Sequence, residues 1–427
     1  MSSIYEILKN VSLPKMLRMR QAFDTNEIND VRKELLHQLS KSKIASTITR
    51  GKRIAITCGS RGINNYALVI KEVVSFCKLK GAEPFVVPSM GSHGGATAIG
   101  QRKICEALGV TEEYCGCPIL SDMRTVEIGR DENGLPVFID NYAAAADGII
   151  AVNRIKSHTG FSAPYESGLM KMLAIGLGKQ YGASVAHKAG YGVMPQLIRS
   201  FGKTIIENRN VIFAIGLVEN AYNKTCHISV MSADEIEQTE PNLLKLSKEK
   251  MGKLLPGSAD VLIVDWMGKN ISGGGMDANI TGRSSSTYFV SSGFKANKLA
   301  VLNLTDESNG NMHGVGNADI ICKRIFEKGK LEETYPNSIT STTLKADAIP
   351  VMMDSDKLAI QCAIQTCNCD DINKVQLIRI KNTLDISEIL ISEAMAERVC
   401  NIPNISIVRE AEDWQFDNNG NLKEWFQ

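Results

Sequence analysis

The stretch of sequence that decides the fold begins with Arg53-Ile-Ala-Ile-Thr-Cys58, a short run of mostly apolar and β-branched residues. Its length and apolar character predict a buried β-strand. The loop Gly59-Ser-Arg-Gly62 follows directly, and the apolar pattern of residues 66–79 then predicts a helix. A strand, a short polar loop and a helix in this order are the first part of a βαβ unit, which favours a parallel sheet.

The same order is repeated farther along the chain. A second strand, Ala82-Glu-Pro-Phe-Val-Val-Pro88, precedes the loop Gly91-Ser-His-Gly-Gly95 and a helix over residues 97–108. Two further buried strands and one helix are predicted in this half, at residues 148–152, 211–215 and 195–207. Parallel sheets bind ligands beyond the carboxyl ends of their strands, so the polar loops are candidate parts of a site.

The second half of the chain alternates in the same way after a lysine-rich helical stretch, residues 245–258. This stretch ends in Leu-Leu-Pro-Gly-Ser, which is typical of a connector. Beyond it, strands are predicted at residues 260–265 and 299–304, and helices at residues 318–328 and 355–365. We therefore expect an α/β protein of two domains with mostly parallel sheets, residues 1–255 and 256–427, with an active-site cleft between them.

The composition is that of a globular protein without a strong charge bias. Of the 427 residues, 44% are hydrophobic and 22% are charged, which argues against disorder. The 48 Lys and Arg residues nearly balance the 47 Asp and Glu residues, whereas nucleic-acid and membrane-surface binding draws on concentrated positive charge. The chain has no apolar run of about 18 residues and no recognisable secretory signal. We expect a cytoplasmic protein with neither a nucleic-acid nor a membrane partner; the oligomeric state is left open.

The eleven cysteines are scattered and odd in number, so they do not form the disulfide framework of a small secreted domain. Two tight pairs, Cys115-Gly-Cys117 and Cys367-Asn-Cys369, have one-residue spacings that fit structural zinc poorly. We expect reduced thiols that pack as small hydrophobic residues.

Three of the six histidines lie in loops of glycine and other small residues that follow predicted strands. They are His93 in Gly91-Ser-His-Gly-Gly95, His158 in Ser157-His-Thr-Gly160, and His187 in Gly182-Ala-Ser-Val-Ala-His187. Taken singly, each is more often a loop histidine held by hydrogen bonds. Together they are candidates for chemistry, because the carboxyl edge of a parallel sheet collects active-site residues.

Lys171 lies among apolar neighbours in Gly168-Leu-Met-Lys-Met-Leu-Ala-Ile-Gly176. A helix through this stretch is apolar nearly all round, so the amine is hard to solvate. One interpretation is a lysine whose stem packs on the core while its ammonium reaches the surface. The other is an amine with a lowered pKa that acts as a nucleophile or as a covalent cofactor anchor.

These residues together resemble the nickel-dependent lactate racemase family. The likeness is carried by Gly91-Ser-His-Gly94, His158-Thr-Gly-Phe-Ser162, Lys171 and, sixteen residues later, His187. The run from Gly273 to Arg283 looks like a branch of the broader superfamily. The resemblance implies that residues 1–255 bind a nickel-pincer nucleotide, a cofactor derived from nicotinic acid, and that residues 256–427 close over the substrate.

The resemblance also implies a role for each matching residue. Lys171 would hold the cofactor covalently, and His187 would be the protein ligand to nickel. His93 and His158 would flank the substrate as alternating base and acid, which suits imidazoles because they titrate near neutral pH. Arg61 would bind the substrate carboxylate or a developing oxyanion through its guanidinium.

The implied reaction is the racemisation or epimerisation of a 2-hydroxy acid. The α-hydrogen of such an acid is too weakly acidic for an ordinary side-chain base, so it leaves as hydride to a cofactor while a histidine takes the hydroxyl proton. The transient partners implied are the enzymes that make the cofactor. The substrate-binding lysine that the family carries in its second domain has no clear match, and Lys269 and Arg283 are the candidates.

This sequence departs from the family pattern at two places near the site. Cys58 stands three residues before Arg61, where lactate racemases carry an acidic residue. The segment Ala163-Pro-Tyr-Glu-Ser-Gly-Leu-Met170 intervenes before Lys171, and no arginine precedes that lysine. The expected substrate is therefore a 2-hydroxy acid of lactate-like, dicarboxylic or sugar-acid type.

Two other functions are compatible with the residues. The first is a zinc hydrolase or lyase with His93, His158 and His187 as metal ligands, which leaves Lys171 without a role. The second is a noncatalytic protein that binds a nucleotide or a sugar acid on the same scaffold.

Overall fold

The computed structural model describes residues 3–291 and 293–423, which fold into two compact units. One unit is Asp24–Met251. The other consists of the described residues up to Phe23 and from Gly252 onward. The boundary after Met251 lies within the lysine-rich stretch that the sequence indicates as a connector.

The described residues form fifteen β-strands: β1 (Met16–Gln21), β2 (Arg53–Cys58), β3 (Glu83–Pro88), β4 (Thr125–Arg130), β5 (Pro136–Asp140), β6 (Gly148–Arg154), β7 (Val211–Glu219), β8 (Thr225–Ser232), β9 (Ser258–Met267), β10 (Lys295–Leu304), β11 (Ile320–Cys322), β12 (Val351–Met353), β13 (Leu377–Ile380), β14 (Glu388–Ser392) and β15 (Ile405–Glu412).

They also form sixteen α-helices: α1 (Ser3–Leu8), α2 (Val31–Leu39), α3 (Ser42–Ala45), α4 (Tyr66–Leu79), α5 (Ala98–Ala107), α6 (Glu112–Cys115), α7 (Asn141–Ala144), α8 (Leu169–Lys171), α9 (Lys179–His187), α10 (Met194–Asn208), α11 (Ile236–Lys250), α12 (Ala278–Thr281), α13 (Arg324–Lys328), α14 (Leu331–Ser341), α15 (Asp356–Thr366) and α16 (Ala396–Cys400). Single 3-10 turns are at Gly94–Ala96, Ala233–Glu235, Asp306–Ser308, Val315–Asn317, Leu344–Asp347, Ile372–Lys374 and Glu393–Met395. A π-helical turn, Met172–Gly176, continues α8 directly.

The sheet of the unit Asp24–Met251 has the strand order β3-β2-β6-β7-β8. The first four strands are parallel, and β8 pairs antiparallel with β7. Separate apolar cores pack on its two faces, one with α2 and α4 and the other with α8, α10 and α11. The hairpin of β4 and β5 forms a small sheet of its own.

The sheet of the other unit has eight strands in the order β12-β11-β10-β9-β13-β14-β1-β15. The strands are parallel from β12 to β13 and antiparallel from β13 onward. Because β1 pairs with both β14 and β15, the residues up to Phe23 belong to this unit. The division thus differs from the expected ranges 1–255 and 256–427 in the membership of these residues and in the boundary itself. The expected α/β class with mostly parallel sheets is confirmed.

One element differs in type from its prediction. Residues 318–328, predicted as a helix, contain the strand β11 followed by the short helix α13. Ile320 and Ile321 are buried and pair with β10 on one side and β12 on the other. A short apolar run does not distinguish a buried strand from a buried helix, so only the neighbouring strands decide this segment.

The cysteines and the helix lengths agree with the composition. The eleven cysteines are free thiols, most of them buried, as expected. Within residues 3–291 and 293–423, none of the helices has both the length and the apolar character that a bilayer crossing requires.

Candidate active site at the carboxyl ends of the parallel strands

Three loops that follow neighbouring parallel strands carry candidate residues. Arg61 follows β2, His93 follows β3 and His158 follows β6, and these strands are adjacent in the order β3-β2-β6. Because the strands are parallel, their carboxyl ends lie at the same edge of the sheet. Lys171 and His187 come from the crossover between β6 and β7, on α8 and at the end of α9.

The helical segment Leu169–Gly176 gives Lys171 its environment. Leu169, Met170 and Met172 are buried, whereas the Lys171 side chain is only partly buried. Burial lowers the pKa of Lys171 from 10.5 to about 8, and the positive charge of Arg61 acts in the same direction. About a tenth of the amine is therefore uncharged at pH 7, far more than for an ordinary lysine, and a nucleophilic lysine reacts through this uncharged form. The lowered pKa agrees with one part of the second sequence-based interpretation, and a role as nucleophile or cofactor anchor stays a prediction.

His158 and His187 lie close enough to Lys171 for its charge to act on both imidazoles. Burial is the largest cause of their shifts: it lowers the pKa of His187 to about 4 and the pKa of His158 well below 6.5. Both rings are therefore neutral at pH 7. A neutral imidazole can exchange a proton with a substrate or bind a transition metal.

The two rings differ in their hydrogen bonds. The backbone N–H of Gly160 donates to Nδ1 of His158 at 3.0 Å. Because this nitrogen accepts, the neutral ring carries its proton on Nε2. Nδ1 of His187 is buried and has no hydrogen-bond partner among the described residues. A buried polar atom in this state ordinarily costs about 1–3 kcal/mol, so the His187 ring is a candidate for a ligand bond.

Two aromatic rings pack against the imidazoles. Phe161 stacks on His158 with ring centroids 4.1 Å apart. The ring of Tyr191 lies edge-on to both imidazoles, with centroids 6.0 Å from His158 and 6.4 Å from His187. A Cβ atom on Gly160 would lie 2.9 Å from Cε2 of Tyr191, so this glycine makes room for the tyrosine. Tyr191 was not predicted from the sequence, although the flanking Gly190 and Gly192 mark it as part of a turn.

His93 is joined to the loop that carries Arg61. The hydroxyl of Ser60 forms a hydrogen bond with Nδ1 of His93, and Ser60 is the residue before Arg61. The His93 side chain is exposed, and its backbone carbonyl accepts a hydrogen bond of 3.2 Å from Nε2 of Gln101. Ser60 was not singled out in the sequence, because its partner lies in a loop after a different strand.

A buried lysine holds the backbone of the His93 loop. Nζ of Lys179 donates to the carbonyl of Pro88 at 2.6 Å and to Oε1 of Gln101 at 2.8 Å. Nε2 of Gln101 in turn donates to the carbonyl of Gly91 at 2.8 Å. The sequence signal for Lys179 is its place in Gly176-Leu-Gly-Lys179, between glycines and a helix. Its role is structural.

Positive charge is concentrated at this edge of the sheet. Arg61 is exposed, yet the protein atoms around it lower its pKa, and the charge of Arg154 adds to this shift. Arg154 is paired with Glu219. Arg61 and Lys171 thus stand as cations close enough to affect each other. Such an arrangement favours a bound anion.

The two substrate-binding candidates of the second half lie in the unit that resumes at Gly252. Nζ of Lys269 donates to the carbonyl of Gly273 at 2.6 Å. The guanidinium of Arg283 pairs with Asp319 at 2.9 Å and donates to the carbonyl of Ala296 at 3.0 Å. These bonds connect Arg283 to residues of its own unit.

The zinc alternative required three histidine ligands in one place. Among residues 3–291 and 293–423, no group of three or more His, Cys, Asp or Glu side chains is placed to hold a metal ion. His93, His158 and His187 therefore do not form the zinc site that this alternative needs.

Comparison with known proteins adds a family match and two structural likenesses. Residues 57–269 match the model of DUF362, a domain of unknown function. A crystal structure of a Thermotoga maritima protein, solved by a structural genomics consortium, aligns with a TM-score of 0.51 and 11% identity over 76% of this chain and 83% of that chain. At that identity the likeness shows the fold alone. The lactate racemase apoprotein from Thermoanaerobacterium thermosaccharolyticum aligns with a TM-score of 0.39 and 14% identity over 58% of this chain and 66% of that chain. No curated protein matches.

Proposed function

We propose that this protein is an isomerase, a racemase or epimerase of a 2-hydroxy acid that uses a nickel-pincer nucleotide. The observation that carries the proposal is the environment of Lys171. Its amine has a pKa lowered to about 8 and lies within electrostatic reach of Arg61, His158 and His187. The family motifs of the sequence meet in this one place, at the edge of the sheet where α/β proteins bind ligands.

The side chains present fit the proposed cofactor. Lys171 offers an amine that is largely uncharged at mildly basic pH and so can form the covalent bond to the cofactor. His187 offers a neutral ring with a buried nitrogen that lacks a partner within the described residues, and neutral imidazole suits nickel. When bound, the cofactor would supply the hydride acceptor that the twenty side chains lack.

The arginine at the end of β2 would bind the substrate. Arg61 is exposed, and a guanidinium binds a carboxylate through two parallel hydrogen bonds. The positive charges of Arg154 and Lys171 act on Arg61 or are acted on by it, and they would favour a second anionic group on the substrate. We therefore keep lactate-like, dicarboxylic and sugar acids as the substrate class. Contacts from Lys269 or Arg283 remain predictions.

The two histidines divide the proton transfer. Because Nδ1 of His158 accepts from Gly160, its Nε2 carries the proton and would donate a hydrogen bond to a substrate oxygen. The ring would act as an acid only after it has taken up a second proton, since a neutral imidazole does not release its last proton near neutral pH. His93 can play the opposite part: when Nδ1 donates to Ser60, Nε2 is an acceptor and takes the hydroxyl proton. For the reaction to run from either enantiomer, the two imidazoles would lie on opposite sides of the substrate and would exchange the roles of base and acid.

Coexpression with cofactor-synthesis enzymes, the transient partners we expect, tests this function. The loaded protein is assayed for metal content and for inversion of a chiral panel of 2-hydroxy and sugar acids. We expect about one nickel per chain and the conversion of one enantiomer into a mixture. Binding of the acids without inversion would favour the noncatalytic alternative, and zinc in place of nickel would contradict the proposal.

A further inference from the structure

The segment that separates His158 from Lys171 rests on the helix α11. Residues 163–170 are also where this sequence departs from the lactate racemase pattern. The hydroxyl of Tyr165 donates to the carbonyl of Glu237 at 2.7 Å, and the backbone N–H of Met170 donates to Oε2 of Glu240 at 2.8 Å. One face of α11 therefore fixes the path of the chain from the histidine to the lysine.

Glu240 holds the first turn of the helix that carries Lys171. Its side chain is 1% exposed and accepts hydrogen bonds from the backbone N–H groups of Leu169 and Met170. These N–H groups open the helix and have no partner inside it. A Cβ atom on Gly168 would lie 2.2 Å from Oε1 of Glu240, so only glycine lets the carboxylate approach this closely.

Glu166 likewise accepts hydrogen bonds from backbone N–H groups, at the end of the segment that lies near His158. It is also 1% exposed, and it accepts hydrogen bonds from the backbone N–H of His158 at 2.6 Å and of Ala163 at 3.0 Å. Lys248 of α11 pairs with it at 2.6 Å. Two buried carboxylates therefore fix the backbone on either side of the departure, one beside His158 and one beside Lys171.

The start of a helix can be stabilised without a buried carboxylate from another helix. A serine or aspartate at the residue before the helix satisfies such N–H groups locally, whereas burying a carboxylate costs several kcal/mol. Glu240 reaches the helix from seventy residues away, so it fixes the helix relative to α11 and not only within itself. In some proteins, buried polar groups of this kind fix one arrangement among several, and this is the hypothesis for Glu240.

We propose that Glu240 is a positioning residue that keeps the amine of Lys171 beside Arg61 and the two imidazoles. The inference rests on the proposed role of Lys171 as the reactive amine. Glu240 is not proposed to contact either a substrate or a cofactor. It acts only through the first turn of α8.

Competitive acetylation with acetic anhydride tests whether Glu240 holds the amine of Lys171 in place. The full chain is used without a cofactor, and the labelling is measured by mass spectrometry of the peptide containing Lys171. In the unaltered protein the labelling midpoint should lie at pH about 8. In Glu240→Leu the helix start loses its acceptor and the amine reaches water. We expect the midpoint to rise by at least about one pH unit, towards the value of a free lysine. Glu240→Gln keeps the shape and an acceptor oxygen, so its midpoint should stay within about half a unit of the unaltered protein.

Leu243→Ala is the matched control, because Leu243 lies on the same helix but packs beside Gly216 of β7. Leu243 shares an apolar core with Leu169 and Met170 but accepts no hydrogen bond from them, so the substitution lowers stability and leaves the Glu240 acceptor in place. The midpoint of Lys171 should therefore not change. An unshifted midpoint in folded Glu240→Leu, or an equal shift in Leu243→Ala, would overturn the proposal. If Glu240→Leu does not fold, Gly168→Ala displaces the same carboxylate from the opposite side and must raise the midpoint.

The experiment separates this inference from the proposed function. A protein that carries no nickel and inverts no acid would refute the function but leave the effect of Glu240 on Lys171 measurable. Conversely, an active and loaded enzyme whose Lys171 midpoint is unaffected by Glu240→Leu would refute only the positioning role.

Discussion

Lys179 forms a fully buried ion pair with Asp140, with 3.2 Å between Nζ and Oδ2. It does so from a left-handed backbone conformation, φ +52°, which residues other than glycine rarely adopt. The same ammonium holds the carbonyl of Pro88 and, through Gln101, the loop of His93. The buried ammonium of Lys179 thus fixes the backbone of the loop that carries His93. Lys179 itself has no part in the proposed chemistry.

Lys179→Met should destabilise the unit Asp24–Met251 strongly. The substitution leaves Asp140 as a buried charge without its partner, a change that typically costs about 3–5 kcal/mol. Urea unfolding monitored by circular dichroism measures the loss. Lys188→Met, at an exposed lysine nine residues later, is the control and should change stability by less than about 0.5 kcal/mol. A loss below about 1 kcal/mol in Lys179→Met would show that the pair does not hold this region.

Arg61→Gln should raise the pKa of Lys171 above about 8. The guanidinium is one of the causes that lower this pKa, and removing its charge makes the ammonium form less unfavourable. Arg61 is exposed, so the fold should not change. The acetylation midpoint of Lys171 is the readout. Arg50→Gln, at an exposed arginine just before the amino end of β2, should leave it in place. A fall of the midpoint in Arg61→Gln would contradict the charge arrangement described.

The carboxyl group of Glu240 should give stability a distinct pH dependence. Burial raises its pKa from 4.5 to about 7. Between these two values the folded state binds more protons than the unfolded state, so its contribution to stability falls as pH rises from about 4.5 to 7. Glu240→Gln lacks this titration. The free energy of unfolding of the variant minus that of the unaltered protein should therefore increase by about 3 kcal/mol over this range. Parallel pH profiles for the two proteins would show that the carboxyl does not titrate in this way.

His187→Ala should weaken nickel retention in the loaded protein more than His93→Ala does. Nδ1 of His187 is buried and lacks a partner among the described residues, whereas His93 is exposed and bonded to Ser60. The nickel that remains after dialysis against a chelator, measured per chain, gives the comparison. Equal losses of nickel from the two variants would contradict the proposal that His187, and not His93, is the nickel ligand.

The local pattern of the chain predicted much of the first sheet but little of the second. The strand β2 and the helix α4 have the bounds that their sequence patterns indicate, because each is a continuous apolar or amphipathic run. The strand β1, Met-Leu-Arg-Met-Arg-Gln, carries charged residues and is a strand because β14 and β15 pair with it from the far end of the chain. Pairing across such separations leaves no local signal.

The same distinction holds for the candidate site. Arg61, His158, Lys171 and His187 could be chosen from the sequence because their loops and neighbours are unusual, and the structure brings them together. Glu240 could not be chosen, since it lies within an ordinary charged helix and its partner, the first turn of α8, is remote in sequence. Residues that position others are found only once the fold shows what they touch.

The central claim is that Lys171 carries the cofactor. Peptide mapping by mass spectrometry, after coexpression with the cofactor-synthesis enzymes, tests it most directly. We predict a mass increase on the peptide containing Lys171 that is lost in Lys171→Ala and kept in the folded control Lys188→Ala. The adduct on any other peptide, or full loading of folded Lys171→Ala, would contradict the claim.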